Sequence, residues 1–475
     1  MAYRCGNREQ KMLLPPSVEE YIAEDAPVRA YDAMIEAMDL EVMGIEEDGG
    51  KVGNPQYHPR AMVKLWTYGC SYGFRSSRKL ERACHYDLSF IWLMGGLKPD
   101  HKTISEFRRK NKQALGRVLS QTARISLDMG LISGNVLFMD GTKLRANASL
   151  YRGWTQEKCE RELSRIDGQI ETLLTEIGLE DEAEAGEGSL VHLQEELKDQ
   201  ERMKDRIREV LGRLQEDGGT WLNTTDEECT RVKGRQGCHA GYSGQVVVDD
   251  EHGLVVSSDV VPEANDTQQF VNQLEQARET LGRAGKVAVA DMGYVNYERL
   301  EAVDRDETTV IIPSRTQARR KEVDPFDKSR FVYDEETDSY ECPLGHRLEF
   351  GNEARHVKER HYYGGKTCRS CEHFGQCTTS RSRGRKIRRF SFEGLRQDLE
   401  RCYEEPESQE IYRRRKARVE HPFGHFKRNL NAGYFLLRGL DGVRAEMSLM
   451  AASFNITRMI TILGVPTLIQ ALQER

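Results

Sequence analysis

Three acidic positions are set in surroundings that suit chemistry better than plain solvation. Asp140 ends the apolar run Asn135-Val-Leu-Phe-Met and precedes Gly-Thr; Asp291 ends Lys286-Val-Ala-Val-Ala and precedes Met-Gly-Tyr. Glu420 lies in the basic stretch Arg413-Arg-Arg-Lys-Ala-Arg-Val-Glu-His-Pro-Phe-Gly-His-Phe-Lys427. Carboxylates gathered from distant segments are hard oxygen ligands suited to Mg²⁺ or Mn²⁺, ions that keep several waters and bind phosphate oxygens directly. Two such ions about 4 Å apart activate an attacking oxygen and stabilise a leaving one during in-line displacement at phosphorus.

The elements around these acids decide whether they can meet. A short apolar run ending in an acid reads as a buried strand whose last residue emerges at the sheet edge. The stretch Gly244 to Val261 holds two β-rich runs around a polar turn at Gly253, hence a hairpin;. A helix over Thr267–Leu281 follows, then the strand ending at Asp291 and a fifth strand over Thr308–Pro313. The order strand, hairpin, helix, strand, strand predicts a five-stranded mixed sheet of α/β (mixed α+β) class, in which the strands ending at Asp140 and Asp291 are neighbours. Asp249, Asp250, Asp259 and Asp266 compete as acids, but turn and cap roles account for them. His421 and His425 have zinc-protease spacing, yet Pro422 and Gly424 are expected to break that helix and no Glu lies between them.

Two segments interrupt the sheet. Over 151–219, Leu163, Ile166, Ile170, Leu173 and Ile177 repeat at heptad-like spacing, as do Met203, Ile207, Val210 and Leu214. That pattern predicts an antiparallel coiled-coil hairpin, an arm for subunit contact. Over 328–384, Cys342, Cys368, Cys371 and Cys377 form a candidate four-thiolate Zn²⁺ site, with His346, His361 or His373 as substitutes, in a segment too polar to build its own core;. Four unligated thiols in a loop are the plain alternative. Residues 17–125 read as helical throughout, with a helix opening near Asp100 or Thr103 and presenting Arg108, Arg109, Lys110 and Lys112 outward;.

A chain of 475 residues with 38% apolar content is long enough for more than one packed unit;. No run reaches the roughly 18 apolar residues of a spanning helix, and the start lacks the order of a secretory signal, so a cytoplasmic protein is expected. Eleven cysteines in such a chain suggest metal ligation rather than disulfides;. The net charge of −7 conceals segregation: nine carboxylates and one lysine lie between Glu176 and Asp199, while Arg381–Arg389, including Arg388 and Arg389, carries six basic residues and Arg413–Arg418 five. Dense basic runs of this kind supply non-specific DNA affinity by displacing counterions, although any single run is as often solvated surface.

With these motifs in view, the chain resembles the DDE transposases of bacterial insertion sequences, in particular the group with a Tyr-x-x-Arg-x-x-x-Glu-x-x-x-x-x-x-Lys signature. Glu420 and Lys427 have its spacing, Asp140-Gly-Thr and Asp291-Met-Gly-Tyr match the first and second acid motifs, and Tyr57-His-Pro through Phe107 resembles the N-terminal domain. Gly241–Gln245 with Asn265-Asp266, and Leu437 through Asn455, extend the likeness. The signature's arginine position holds Lys416 and its tyrosine position Arg413, with Tyr412 one place earlier.

The resemblance implies an RNase-H-like core in which Asp140, Asp291 and Glu420 hold Mg²⁺ (or Mn²⁺). It further implies that Lys427 contacts a terminal phosphate, that Arg415 and Lys416 neutralise the DNA backbone, and that the partners are double-stranded inverted-repeat ends and target DNA, held by a homodimer or higher oligomer at the nucleoid. The expected organisation is a helical DNA-binding domain at 1–130, core segments at 131–150, 220–327 and 385–475, and insertions at 151–219 and 328–384. A zinc-containing DNA-binding protein without catalysis and a stand-alone nuclease are the alternatives.

Overall fold

The computed structural model describes residues 17–47, 56–182, 187–216, 218–234, 237–318, 324–354 and 359–475. The polar break between the two heptad-patterned helices and the amino-terminal start fall outside them. The chain opens with helices α1 (Pro27–Glu36), α2 (Pro59–Ser71), α3 (Ser77–Tyr86), α4 (His101–Lys110) and α5 (Val118–Asp128). Their apolar stripes, through Met62, Leu65 and Trp66 or Leu80 and Ala83, are buried, as three-to-four-residue spacing requires;. Strand β1 (Val136–Arg145) follows, then α6 (Gln156–Glu182) and α7 (Glu187–Glu216), which pack together through Cys159, Ile166, Ile207 and Leu214.

The main sheet is completed by β2 (Thr230–Gly234), β3 (Gly237–Asp249), β4 (Val255–Val261), β5 (Val287–Val289) and β6 (Thr309–Ile311), with α8 (Gln269–Leu281) between β4 and β5. Its order is β2-β3-β1-β5-β6, with β4 also paired to β3, so the sheet has six strands rather than the expected five. The extra strand arises because β3 is 13 residues long. Its first part pairs with β2 and its second with β4, while β1 lines its other edge. That length also corrects the position of Asp140. β1 does not end there but runs on to Arg145, antiparallel to β3, whereas its parallel partner β5 stops at Val289 opposite Phe138.

A second sheet, antiparallel throughout, consists of β7 (Val332–Asp334), β8 (Ser339–Glu341), β9 (Arg347–Ala354), β10 (Glu359–Tyr363) and β11 (Lys386–Phe390), in the order β11-β10-β9-β8-β7. It corrects the expectation of a segment too polar for a core: Phe331, Tyr340, Leu348, Tyr362 and Ile387 bury one another. The strand bearing Arg388 and Arg389 belongs to this sheet, beyond the boundary drawn at 384. Helix α9 (Pro406–Gly424) follows, then α10 (Leu440–Leu463). Pro422 does not break α9. The helix runs past it and widens into a π-helical turn at His425–Asn429, one way to absorb a proline, which has no N–H to donate and whose ring crowds the carbonyl four residues earlier;.

α10 is apolar on nearly every side and joins the N-terminal helices to the main sheet;. The Tyr31 hydroxyl donates to the Ser453 carbonyl at 2.9 Å, the Leu119 amide donates to Ser448 Oγ at 3.0 Å, and the Asn455 side chain exchanges two hydrogen bonds with the backbone of Val255. No single described helix is long and apolar enough to cross a membrane. The strongest polar tie is Arg75 to Glu446 at 2.6 Å, both side chains about 95% buried. Arg75 also donates to the Tyr434 and Asn431 carbonyls, and Glu446 accepts the Leu436 and Leu437 amides. Removing one partner leaves a buried charge unpaired. Arg75→Ala should therefore lower unfolding free energy by about 3–5 kcal/mol in denaturant titrations, and a loss below about 1 kcal/mol would contradict this account.

Candidate active site

The parting of β1 and β5 builds the site. Their register pairs Val136 with Val287 and Phe138 with Val289; continued two residues further, it sets Asp140 level with Asp291, where hydrogen bonding between the strands has ended. Asp140 stays in the extended backbone of β1 and accepts the Gly141 amide at 2.9 Å. Asp291 starts a 3₁₀ turn over Met292–Tyr294 and caps it, accepting the Gly293 amide at 2.7 Å. The expectation that these two acids face one another at neighbouring strands corresponds to this arrangement.

A guanidinium lies between them. From α9, Arg415 Nη1 is 3.6 Å from Asp140 Oδ1, and Nη2 is 3.9 Å from Asp291 Oδ2. Both distances exceed a good charge-assisted hydrogen bond, and Nη1 is buried with no hydrogen-bond partner;. Two carboxylates thus flank a cation whose shape does not satisfy them. A small, hard divalent ion fits that donor set better, since Mg²⁺ commonly takes one or two protein carboxylates and completes its shell with water and phosphate. Among the described residues no three His, Cys, Asp or Glu side chains form a group that could hold a metal ion as they stand.

Glu420 does not join the pair. It is 64% exposed and 3.8 Å from Lys416 on the outer face of α9. The inward face of α9 carries Tyr412, Arg415 and Val419, and five residues beyond Arg415 a helix has turned about 140°. Lys427, in the π-helical turn seven residues after Glu420, does reach β1, where its ammonium bonds Thr142 Oγ1. Thr142 shares a strand face with Asp140, so Lys427 borders the site although Glu420 points away from it;.

The other basic residues divide between surface and interior. Arg414 and Arg418 both bind Asp250, at 2.7 and 3.1 Å, so two of the five basic residues of that run are turned to a buried carboxylate. Arg108, expected on an outward face, lies 4.3 Å over Trp66 and donates to the Arg75 carbonyl. Burial pulls its pKa below the usual arginine range. Arg109 is exposed and paired with Glu106 at 2.6 Å. Arg389 stacks 3.6 Å over Tyr333, whereas Arg388 is exposed. His421 and His425 pack edge-on against Phe454, and burial lowers both pKa values. Cys342, Cys368, Cys371 and Cys377 are unpaired thiols lining one small cavity with His346 and His373.

Asp266 was read as a helix cap and is not one, because Gln268 takes that place on α8. Its Oδ1 instead accepts from Gln245 Nε2 at 2.7 Å, Ser243 Oγ at 3.0 Å and Lys143 Nζ at 3.1 Å. Gln245 Oε1 accepts the hydroxyl of the buried Tyr294. A signal for this cluster stood in the sequence: Ser243 and Gln245 are polar residues at strand period in a run otherwise fit for burial.

Burial is the largest influence on Asp140 and pushes its carboxyl up to about 6; Arg415 opposes it, while Asp291 and Asp266 add to it;. A carboxyl raised in the folded state favours folding below its unfolded value, and that contribution is lost as pH climbs through about 6;. Asp140→Asn should accordingly melt near the wild-type temperature at pH 4 and above it at pH 7. Equal differences at both pH values would refute the buried, proton-holding environment.

Two family models match the chain. One describes a transposase DDE domain and spans residues 341–460, taking in Glu420 and Lys427 but not Asp140 or Asp291. The other describes a transposase domain, DUF772, and spans residues 16–110. No curated protein and no solved structure matches. The chain is thus similar to transposases over two separate segments, a transposase domain at its N-terminal helices and a transposase DDE domain around Glu420.

Proposed function

We propose that this chain is a transposase that cuts and joins DNA at the ends of an insertion sequence with two divalent ions, Mg²⁺ or Mn²⁺, on an RNase-H-like sheet. The observation that carries the reading is the meeting of Asp140 and Asp291 around Arg415 where β1 and β5 part. When bound, the ions supply a deprotonated nucleophile and charge stabilisation at phosphorus. Asp140 and Asp291 hold them, and Arg415, relieved of the two carboxylates, turns its charge to a DNA phosphate. Lys427, beside Thr142, meets the terminal phosphate. Glu420 completes the ligand set by a turn of the end of α9, whose hydrogen-bond ladder is already widened at His425–Asn429. Arg109, Lys416 and Arg388 offer outward charge for the DNA backbone, while the four thiols of the second sheet hold a structural Zn²⁺. The α6–α7 arm joins subunits on the DNA.

The outward set of Glu420 also suits a second reading, DNA binding without catalysis. One assay separates the two. Asp140→Asn, Asp291→Asn and Glu420→Gln should each lower Mg²⁺-dependent cleavage of flanking element DNA at least about a hundredfold while leaving DNA affinity within about twofold. Cleavage at the wild-type rate in all three would remove the catalytic reading, and nicks without joined products would indicate a nuclease only.

A further inference from the structure

We infer that Asp266 is a positioning residue for the Asp140–Asp291 pair, acting from the opposite face of β1; the inference rests on the metal-site reading above. Successive strand residues point to opposite faces, so Gly141 faces away from Asp140. Gly141 is paired with Gln245, and Lys143 with Ser243, which puts all four on the side from which Asp266 approaches. The approach is close. A Cβ at position 141 would lie 2.8 Å from Asp266 Oδ1 and 2.7 Å from Gln245 Nε2, so only glycine leaves room for the carboxylate directly behind the catalytic strand.

From that place Asp266 grips both acid-bearing segments. Its first hold is on β1, through Lys143 and through contact with Gly141, whose amide donates to Asp140. Its second runs through Gln245. The amide nitrogen donates to Asp266, which orients the amide oxygen toward the Tyr294 hydroxyl. Tyr294 closes the 3₁₀ turn that Asp291 begins. Without Asp266 the Gln245 amide nitrogen keeps only Ser243 Oγ, at 2.9 Å, as acceptor and loses its shorter, charged one, so the acceptor offered to the buried Tyr294 hydroxyl is held less firmly and the tie between the turn carrying Asp291 and the strand carrying Asp140 loosens. Every bond in this chain is made within four residues of one of the two acids or in the strand between β1 and β4. Helix capping by Asp266, the plain alternative, is excluded by Gln268.

The test is Mn²⁺ titration of the full-length protein by calorimetry, without DNA, on wild type, Asp266→Ala, Tyr294→Phe and the double variant. Each single change should weaken Mn²⁺ binding about tenfold, as loss of a partner behind a metal ligand does. The double change should also cost about tenfold, because both cut one relay. Asp266→Asn, which retains an acceptor oxygen, should bind more tightly than Asp266→Ala, and it carries the test with Tyr294→Phe if the alanine variant does not fold. Wild-type affinity in the single variants, or an additive loss of about a hundredfold in the double, would overturn the inference. Asp140→Asn in the same titration distinguishes the failures: unchanged Mn²⁺ binding there removes the metal site itself, whereas loss there with intact binding in the Asp266 variants removes only the positioning role.

Discussion

The structure depends on keeping two like charges side by side at the point where a parallel strand pair separates. Asp140 and Asp291 stand level, half withdrawn from water, and burial together with the nearby Asp291 raises the cost of ionising Asp140;. Arg415 offsets that cost without satisfying it, since its nitrogens stay beyond hydrogen-bond reach of both acids. The surrounding elements make the arrangement sustainable. β3 continues to pair with β1 beyond the end of β5, so the strand beneath Asp140 stays straight where its other neighbour has gone. Asp291, which has no strand to hold it, is fixed by its own cap on the following turn.

α9 then decides what the pair faces. Its sequence is so basic that it reads as a DNA-facing helix, yet the helical period sorts those charges into separate tasks. Arg414 and Arg418 neutralise Asp250, Arg415 enters between the two acids, and Arg413 and Lys416 remain outside. A run of like charges on a helix is therefore no measure of the charge it shows to a partner. The same holds in β11, where Arg389 is spent on an aromatic face and Arg388 is not. Delocalised guanidinium groups suit this interior work, since they stack on rings and bridge carboxylates while remaining charged.

A buried helix, α10, ties the two ends of the chain together. α10 presents apolar surface to the sheet on one side and to the N-terminal helices on the other, and its few polar residues are consumed in specific bonds: Glu446 to Arg75, Ser453 to Tyr31, Asn455 to Val255. The N-terminal transposase domain is thereby packed onto the same core that carries Asp140.

Much of this was legible in residue order. Apolar runs ending in Asp140 and Asp291, the hairpin with its turn at Gly253, the helical N-terminal stripes and the two long helices of 151–219 all follow from periodicity, because burial of one face is a local demand that each segment states for itself. The motif spacing around Glu420 and Lys427 was equally plain. What residue order did not contain was the set of partners that each segment would meet. Asp140 lies within a strand, not at its end, because a distant 13-residue strand continues to pair with it; Arg415 turns inward because two acids wait there; and Asp266 leaves a helix cap for the back of β1 because Gly141 makes space. The second sheet's aromatic core likewise joins residues from Phe331 to Ile387 that no short window shows together. Local sequence determined the elements and the types of group they bear, while long-range packing alone chose which charges are paired, which are buried and which are left exposed.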